Sequence, residues 1–551
     1  MRFTDLKGKK LILYGEERFC QTLELFLYDV PISLQVYDNA GNAAELINSA
    51  MDSDTVVVIC SYEHVPYELV LEHIGLKYNQ TYVLATYILW LCVKNDYRYQ
   101  NTYENMHNKK IALYGSVTDA QSFLQDNPGI RVDYLVADQA ARDFFGRPIL
   151  KFADLQGRSD SIYLFILYEQ SEDLTNQLSQ VGFVKGQNYS FDKNFESSIH
   201  WLFVAFQEAV KTTVLPLSCN MLWKGIVIMP PEELRLCCVN PLTIGSVQNT
   251  TYDNLINSFT TRLFNASVLN GSYVLCRDCL FLSSALKTGA KPTLMSEMPE
   301  PETAKKKLVK ALKSLSLGFD PSCNLTCKSC RPPTVIMYHK FTPDLRLYFD
   351  NIYKIILSEW LPHCDTLALG INGDTFASKF YSEIAFKQFT GNWITIQTNA
   401  LLLNKPVLDS LIERYSGKEL RFFISIDAAS ADVYKDLRGG NFNLLLKNLQ
   451  ELGRARRENK VSYIVINFIV QKRNFREMPD FVRLGKSINA DNIYFQELKP
   501  YTQEVLDNYS ELNVYDEKSS GHKEFCELLK DPIFDDKSLI FDIPRQNTVE
   551  S

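Results

Sequence analysis

Apolar residues along this chain come in short runs, and the spacing of the runs predicts its elements. Residues 9–14 (KKLILY) end in Gly15, and residues 109–114 (KKIALY) end in Gly115. Each run reads as a strand entering a glycine and is followed by helix-like sequence. Further apolar strands follow, VVVIC at 56–60 in the first case and SIYLFILY at 161–168 in the second. The pattern predicts an internal repeat of about 100 residues, each copy a small parallel α/β unit. A phosphate-binding loop is the functional reading of the two glycines. Neither GEERFC nor GSVTDA has the G-x-G-x-x-G spacing, so a degenerate Rossmann-like scaffold is expected rather than a dinucleotide site. Residues 194–212 have helical apolar spacing. Residues 295–310, rich in Pro, Glu and Lys, read as a linker or boundary.

Beyond that point strand-like runs recur at 314–319, 365–370, 393–398, 421–427, 463–470 and 492–498, with helix-like stretches such as 405–415 and 443–457 between them. Six successive βα units predict a parallel barrel or part-barrel, whose ligands gather at the carboxyl ends of the strands. Those ends are polar: Asn372-Gly373-Asp374, Thr398-Asn399, Ser425 with Asp427, Asn467, and Gln496-Glu497. The fold class is therefore α/β. Two Rossmann-like repeats are expected at 1–100 and 101–194, a small cysteine-rich cluster domain at 195–294, and a parallel partial (β/α)6 barrel with a C-terminal extension at 310–551.

Composition narrows the function classes. Of 551 residues, 46% are hydrophobic and 22% charged, which are globular values. The net charge of −7 without a basic run disfavours a nucleic-acid surface. No signal peptide and no membrane span is read, so a cytoplasmic location is expected. Thirteen cysteines are many for such a protein, and disulfides are not expected there. Cys20, Cys60, Cys92, Cys364 and Cys526 are scattered and read as small buried hydrophobes. The other eight fall in two groups, 219–279 and 323–330.

The later group is FDPSCNLTCKSCRPP, a Cys-x3-Cys-x2-Cys spacing directly after the first strand of the series. Three thiolates on a four-iron cubane leave one iron open. An open iron can chelate the amino and carboxylate groups of S-adenosylmethionine, and one electron then breaks the sulfonium bond. The segment resembles the radical S-adenosylmethionine superfamily, over roughly residues 312–535. INGDTF at 371–376, TNALLL at 398–403, SIDAASADVYKDLRGG at 425–440 and NFIVQKRN at 467–474 are similar to the family's later strand ends. The resemblance implies a [4Fe–4S] cluster on Cys323, Cys327 and Cys330. It places Gly373, Asp374, Thr398, Asn399, Ser425, Asp427, Arg438 and Asn467 near bound S-adenosylmethionine. Two departures stand out. Ser329 occupies a position that is usually aromatic, and Asn372-Gly373-Asp374-Thr375 replaces Gly-Gly-Glu-Pro.

The earlier group resembles the first part of the SPASM or twitch auxiliary-cluster domains, although here it precedes the barrel. The resemblance implies a second [4Fe–4S] cluster on Cys219, Cys276, Cys279 and one of the Cys237/Cys238 pair, with Cys237 preferred. A four-thiolate zinc site is the rival. The expected activity is hydrogen abstraction from a substrate, with an electron donor such as flavodoxin or ferredoxin. Family members that act on peptides often carry a winged-helix-like leader-binding domain. None is read here, so a carbohydrate or small metabolite is expected before a peptide. The alternatives are a peptide-modifying maturase and a non-catalytic zinc or iron–sulfur scaffold. Tyr434 and Glu497 are possible lining residues.

Overall fold

The structure is a computed structural model. It describes residues 6–542 except 7, 38–40, 63, 79, 94–95, 97–108, 117, 121–122, 124–131, 138–147, 169–170, 186, 192–200, 214, 216, 238–239, 241, 277–278, 280–281, 283–294, 331–337 and 501. The chain divides into two compact units. One comprises 1–223, 239–245 and 249–310; the other comprises 224–238, 246–248 and 311–551.

The first unit holds two small parallel sheets. In one, the neighbours run Ile32–Tyr37, Lys10–Gly15, Thr55–Cys60, Tyr82–Leu84. In the other they run Ile149–Leu150, Tyr134–Val136, Lys110–Tyr114, Ile162–Ile166, Tyr189–Phe191. Apart from the extra edge strand Ile149–Leu150, the two orders match: the second strand lies beside the first, then the third and fourth. Even the isolated bridges Tyr78–Tyr82 and Lys185–Tyr189 occupy corresponding places. Gly15 has φ +143°, and a Cβ there would lie 2.5 Å from the Cys60 carbonyl oxygen. The glycine lets the ends of two adjacent strands come close together, where a side chain would not fit.

Helix Phe259–Leu269, also in the first unit, is buried along its whole length. Its Arg262 is fully buried and donates to both carboxylate oxygens of Asp29 (2.8 and 3.1 Å), to the Phe26 carbonyl and to Asn257. A buried guanidinium is tolerated because so many acceptors surround it. The stretch 295–310, expected as a linker, is ordered. Met295–Glu297 pairs antiparallel with Leu217–Cys219, and Pro301–Leu312 is a helix.

In the second unit the main strands are β1 (Ser314–Leu317), β2 (Thr366–Leu369), β3 (Trp393–Thr398), β4 (Glu419–Ser425), β5 (Tyr463–Val470), β6 (Asn492–Glu497) and β7 (Leu539–Asp542). They are parallel and neighbour one another in chain order. The sheet thus extends past the six strands expected, with β7 after β6. On the outer side of β1 lies another parallel strand, Ile226–Met229, which also pairs antiparallel with Glu233–Arg235. This hairpin was expected within the cysteine-rich stretch 195–294.

Consecutive parallel strands joined by right-handed crossovers place their helices on one face of the sheet. Burial follows that rule. Along β3, Ile394, Ile396 and Thr398 are buried while Trp393, Thr395 and Gln397 are half-buried, and β4 alternates likewise. One face packs under helices; the other keeps partial access. The helices begin at side-chain caps that the sequence supplies: Ser378, Asn404, Ser430 and Asn441 each accept from a backbone N–H in the first turn.

Candidate active site

The loop after β1 is fixed before its first cysteine. Asp320 is buried, and its carboxylate accepts from the Ser322 amide (3.0 Å), the Ser322 hydroxyl (2.7 Å) and the Ser378 hydroxyl (2.5 Å). Its own amide donates to the Tyr381 hydroxyl at 2.7 Å. Further along, the Cys330 amide donates to the Cys327 carbonyl (3.2 Å) and the Lys328 amide to the Leu437 carbonyl (3.0 Å). Both ends of the loop are thus tied to later βα units. Cys323 and Cys327 are half-buried and Cys330 is exposed.

Burial pushes the Cys323 thiol up to about 12, with the nearby Asp374 charge adding to the effect. Burial also raises Cys327, against the pull of the Arg438 guanidinium. Such thiols ionise readily only when a metal takes the charge. Among the described residues no three His, Cys, Asp or Glu side chains converge as donors to a single ion do. Ligands of a cubane bind different irons and need not converge so closely.

The INGDTF turn after β2 grips this loop. Gly373 has φ +80°, and a Cβ there would lie 2.6 Å from the Ser322 carbonyl oxygen and 2.7 Å from that of Asp320. The Asp374 amide donates to Ser322 at 2.8 Å. The Asp374 carboxylate accepts from the Phe376 and Ala377 amides (3.0 and 3.2 Å), the Thr398 hydroxyl (2.8 Å) and the Asn399 amide (2.7 Å). Burial raises its pKa against those bonds. Gly373, Asp374 and Thr398 therefore spend their contacts bracing loop against strand end. Asn399 reaches the cysteines: its side-chain amide donates to Asn324 (2.7 Å) and lies 3.9 Å from the Cys323 sulfur.

At the ends of β4 and β5, Asp427 has φ +63°. Its carboxylate accepts from the Ile469 amide (2.8 Å) and from Arg438 (2.6 Å). Asn474 holds the Asp427 carbonyl at 2.9 Å. Ser425 pairs in register with Asn467 and is half-buried. Asn467 is buried, its backbone oxygen accepts from Ile426 at 3.1 Å, and its side-chain oxygen has no protein partner. Arg438 Nε and the Gln471 side-chain nitrogen are likewise unpartnered and buried. Buried polar atoms without partners are uncommon, and a cluster of them beside three cysteines fits a polar, partly charged ligand.

Asp320, Ser378, Asn474 and Glu477 were missed from sequence. Glu477 accepts from the Ala429 amide at 2.6 Å and caps the turn before helix Ala431–Arg438. Asp320 carried a signal, a carboxylate three residues before Cys323 at an apolar strand end. Glu477 and Asn474 carried none, because their partners lie 48 and 47 residues away. Glu497 accepts from the Tyr509 hydroxyl at 3.1 Å and pairs with Lys499.

In the first unit, Cys219, Cys276 and Cys279 all influence the buried Tyr273 phenol, which is raised chiefly by its burial. The Cys279 amide donates to the Cys276 carbonyl at 3.0 Å, and the Asn240 amide lies 3.6 Å from the Cys276 sulfur. Cys237 belongs to the second unit, and Cys238 lies outside the described residues. Of the scattered cysteines expected to be buried, Cys20, Cys60 and Cys92 are buried, whereas Cys364 and Cys526 are half-buried.

No protein-family model matches the sequence, and no curated protein matches it. Among solved structures, Streptococcus suis SuiB bound to S-adenosylmethionine aligns over 60% of this chain and 72% of its own, at 13% identity and a TM-score of 0.27. SuiB bound to the precursor peptide SuiA aligns over 55% and 67%, at 14% identity and a TM-score of 0.28. The native protein anSMEcpe with bound AdoMet aligns over 33% and 51%, at 18% identity and a TM-score of 0.24. The structures this chain is similar to thus include two with S-adenosylmethionine bound, at similarities too low to establish a common fold.

Proposed function

We propose that the second unit is a radical S-adenosylmethionine enzyme. The observation that carries this reading is the loop Cys323–Cys330 after β1: three thiols in a Cys-x3-Cys-x2-Cys spacing, clamped by the turns after β2 and β3 and facing Arg438. Cys323, Cys327 and Cys330 would hold a [4Fe–4S] cluster with one iron free for S-adenosylmethionine. When bound, the pair supplies one-electron cleavage to a 5′-deoxyadenosyl radical and so hydrogen abstraction.

The chain's own residues do the positioning. Asp320 and Asp374 fix the loop's entry and its lateral position. Asn399 and Arg438 direct N–H groups at the Cys323 and Cys327 sulfurs, where they offset thiolate charge. Asn467 offers an unpaired acceptor from β5, and Ser425 a hydroxyl from β4, to the bound methionine or ribose portion. Gly373 and Thr398 act as braces between the cysteine loop and the strand ends. Cys219, Cys276 and Cys279 of the first unit would contribute to a second cluster that assists a redox modification. The substrate class is a carbohydrate or small metabolite, and a flavodoxin or ferredoxin would deliver the electron.

The test is anaerobic reconstitution of the full chain with iron and sulfide, reduction, and electron paramagnetic resonance with and without S-adenosylmethionine. A reduced-cluster signal that S-adenosylmethionine perturbs, and that Cys327→Ser removes, is expected. A wild-type chain that binds zinc in preference to iron, or a signal untouched by S-adenosylmethionine, would overturn the reading.

A further inference from the structure

Helix Ala431–Arg438 carries a buried group that the reading above does not use. Tyr434 is wholly buried, yet its hydroxyl has no hydrogen-bond partner in the protein. Buried tyrosine hydroxyls usually have one. The ring is fixed: Phe442 lies 5.5 Å away between centroids. A Cβ at Gly440 would meet the Tyr434 ring at 2.7 Å and the Leu325 side chain, in the cysteine loop, at 3.2 Å. The hydroxyl lies on the ring's rotation axis, so a ring flip does not move it.

The helix that carries Tyr434 meets the cysteine loop, where the Lys328 amide donates to the Leu437 carbonyl at 3.0 Å. Burial pushes the phenol up to about 12, and Arg438, Cys327, Asp427 and Asp374 all act on it. Arg438 follows one turn later on the same face, and its Nε is also buried without a partner. Two orphaned donors therefore lie on one face of the helix that meets the cysteine loop.

We infer that the Tyr434 hydroxyl donates a hydrogen bond to the sulfur shell of the cluster on its Cys327 side, and so sets the cluster's reduction potential. This rests on the proposed function. A donor to a cluster sulfur favours the reduced, more negative state, so it raises the potential. Tyr434 is a positioning residue in this role and touches no substrate.

The experiment compares wild-type chain with Tyr434→Phe, each reconstituted anaerobically without S-adenosylmethionine. It uses a redox titration followed by electron paramagnetic resonance on the signal that Cys327→Ser removes. The expected result is unchanged iron content with a midpoint potential displaced to more negative values. Thermal unfolding of the metal-free chains provides a second readout. There Tyr434→Phe is expected to be at least as stable as wild type, because it deletes an unpaired buried hydroxyl. An unmoved midpoint at full iron content would make Tyr434 a packing residue and overturn the inference. A displacement seen only with S-adenosylmethionine present would assign the hydroxyl to that ligand and overturn it as well. A wild-type chain that assembles no cluster would instead fail the proposed function, so the two failures are distinguishable.

Discussion

At the scale of single residues, the second unit uses buried carboxylates as fasteners. Asp374 accepts four hydrogen bonds from its own chain, and Asp320 accepts three. The family resemblance placed Asp374 against the cofactor, and its sequence position is compatible with that role. The role it plays in the structure depends on where the Thr398 hydroxyl and Asn399 amide lie, which spacing alone does not reveal. Asp320 makes a prediction about pH. Burial raises its folded pKa above the ordinary aspartate value, against its hydroxyl and amide partners. The folded state then holds that proton more tightly than the unfolded chain. The linked stability is full below the unfolded pKa and is lost as pH rises through the folded one. Between about pH 7 and about pH 4, urea unfolding of the metal-free chain is expected to shift in favour of wild type over Asp320→Asn as pH falls. A gap that widens towards neutral pH instead would contradict the account of Asp320.

At the scale of elements, strand positions were legible because alternation and β-branched runs are local signals. All six strand runs read from sequence in the second unit correspond to β1–β6 to within a few residues. Two things were not legible. Ile226–Met229 joins β1 although 84 residues separate the strand's end from the start of β1, and a long-range parallel pairing leaves no periodic trace in either segment. The stretch 295–310 read as a linker or boundary from its Pro, Glu and Lys content; the break between the two units falls at its end, but Pro301 opens a helix there, where its missing N–H costs nothing. The turn after β2 gives the test at this scale. In Gly373→Ala, the added Cβ strikes two carbonyl oxygens of the cysteine loop at a positive φ, which displaces Cys323 without touching any ligand atom. The expected outcome is a loss of most reconstituted iron from the second unit, with far-ultraviolet circular dichroism unchanged. Full iron uptake in that variant would show that the turn does not hold the loop.

At the scale of the whole molecule, the chain joins two matching parallel sheets to a larger sheet whose first strand leads into the three-cysteine loop. The matched strand orders show that the first unit contains a repeated α/β element. The Cys323–Cys330 spacing is the part of the sequence that speaks most directly to chemistry, because three cysteines on one loop form a local pattern. The second group is harder to read, since Cys219, Cys276 and Cys279 come together around Tyr273 only through folding. If they hold a cluster of their own, Cys276→Ser should remove about four irons per chain and leave the S-adenosylmethionine-responsive signal in place. Iron analysis paired with electron paramagnetic resonance checks this, and zinc found in place of the missing iron would reassign the site.

The central claim is that Cys323, Cys327 and Cys330 support cleavage of S-adenosylmethionine. Its most direct measurement is 5′-deoxyadenosine formation by the reduced, reconstituted chain, quantified by mass spectrometry with no added substrate. Wild type is expected to form 5′-deoxyadenosine in a reductant-dependent manner, and Cys327→Ser to form none above the protein-free control. Cleavage that persists in Cys327→Ser, or its absence from a wild-type chain carrying a full complement of iron, would contradict the account.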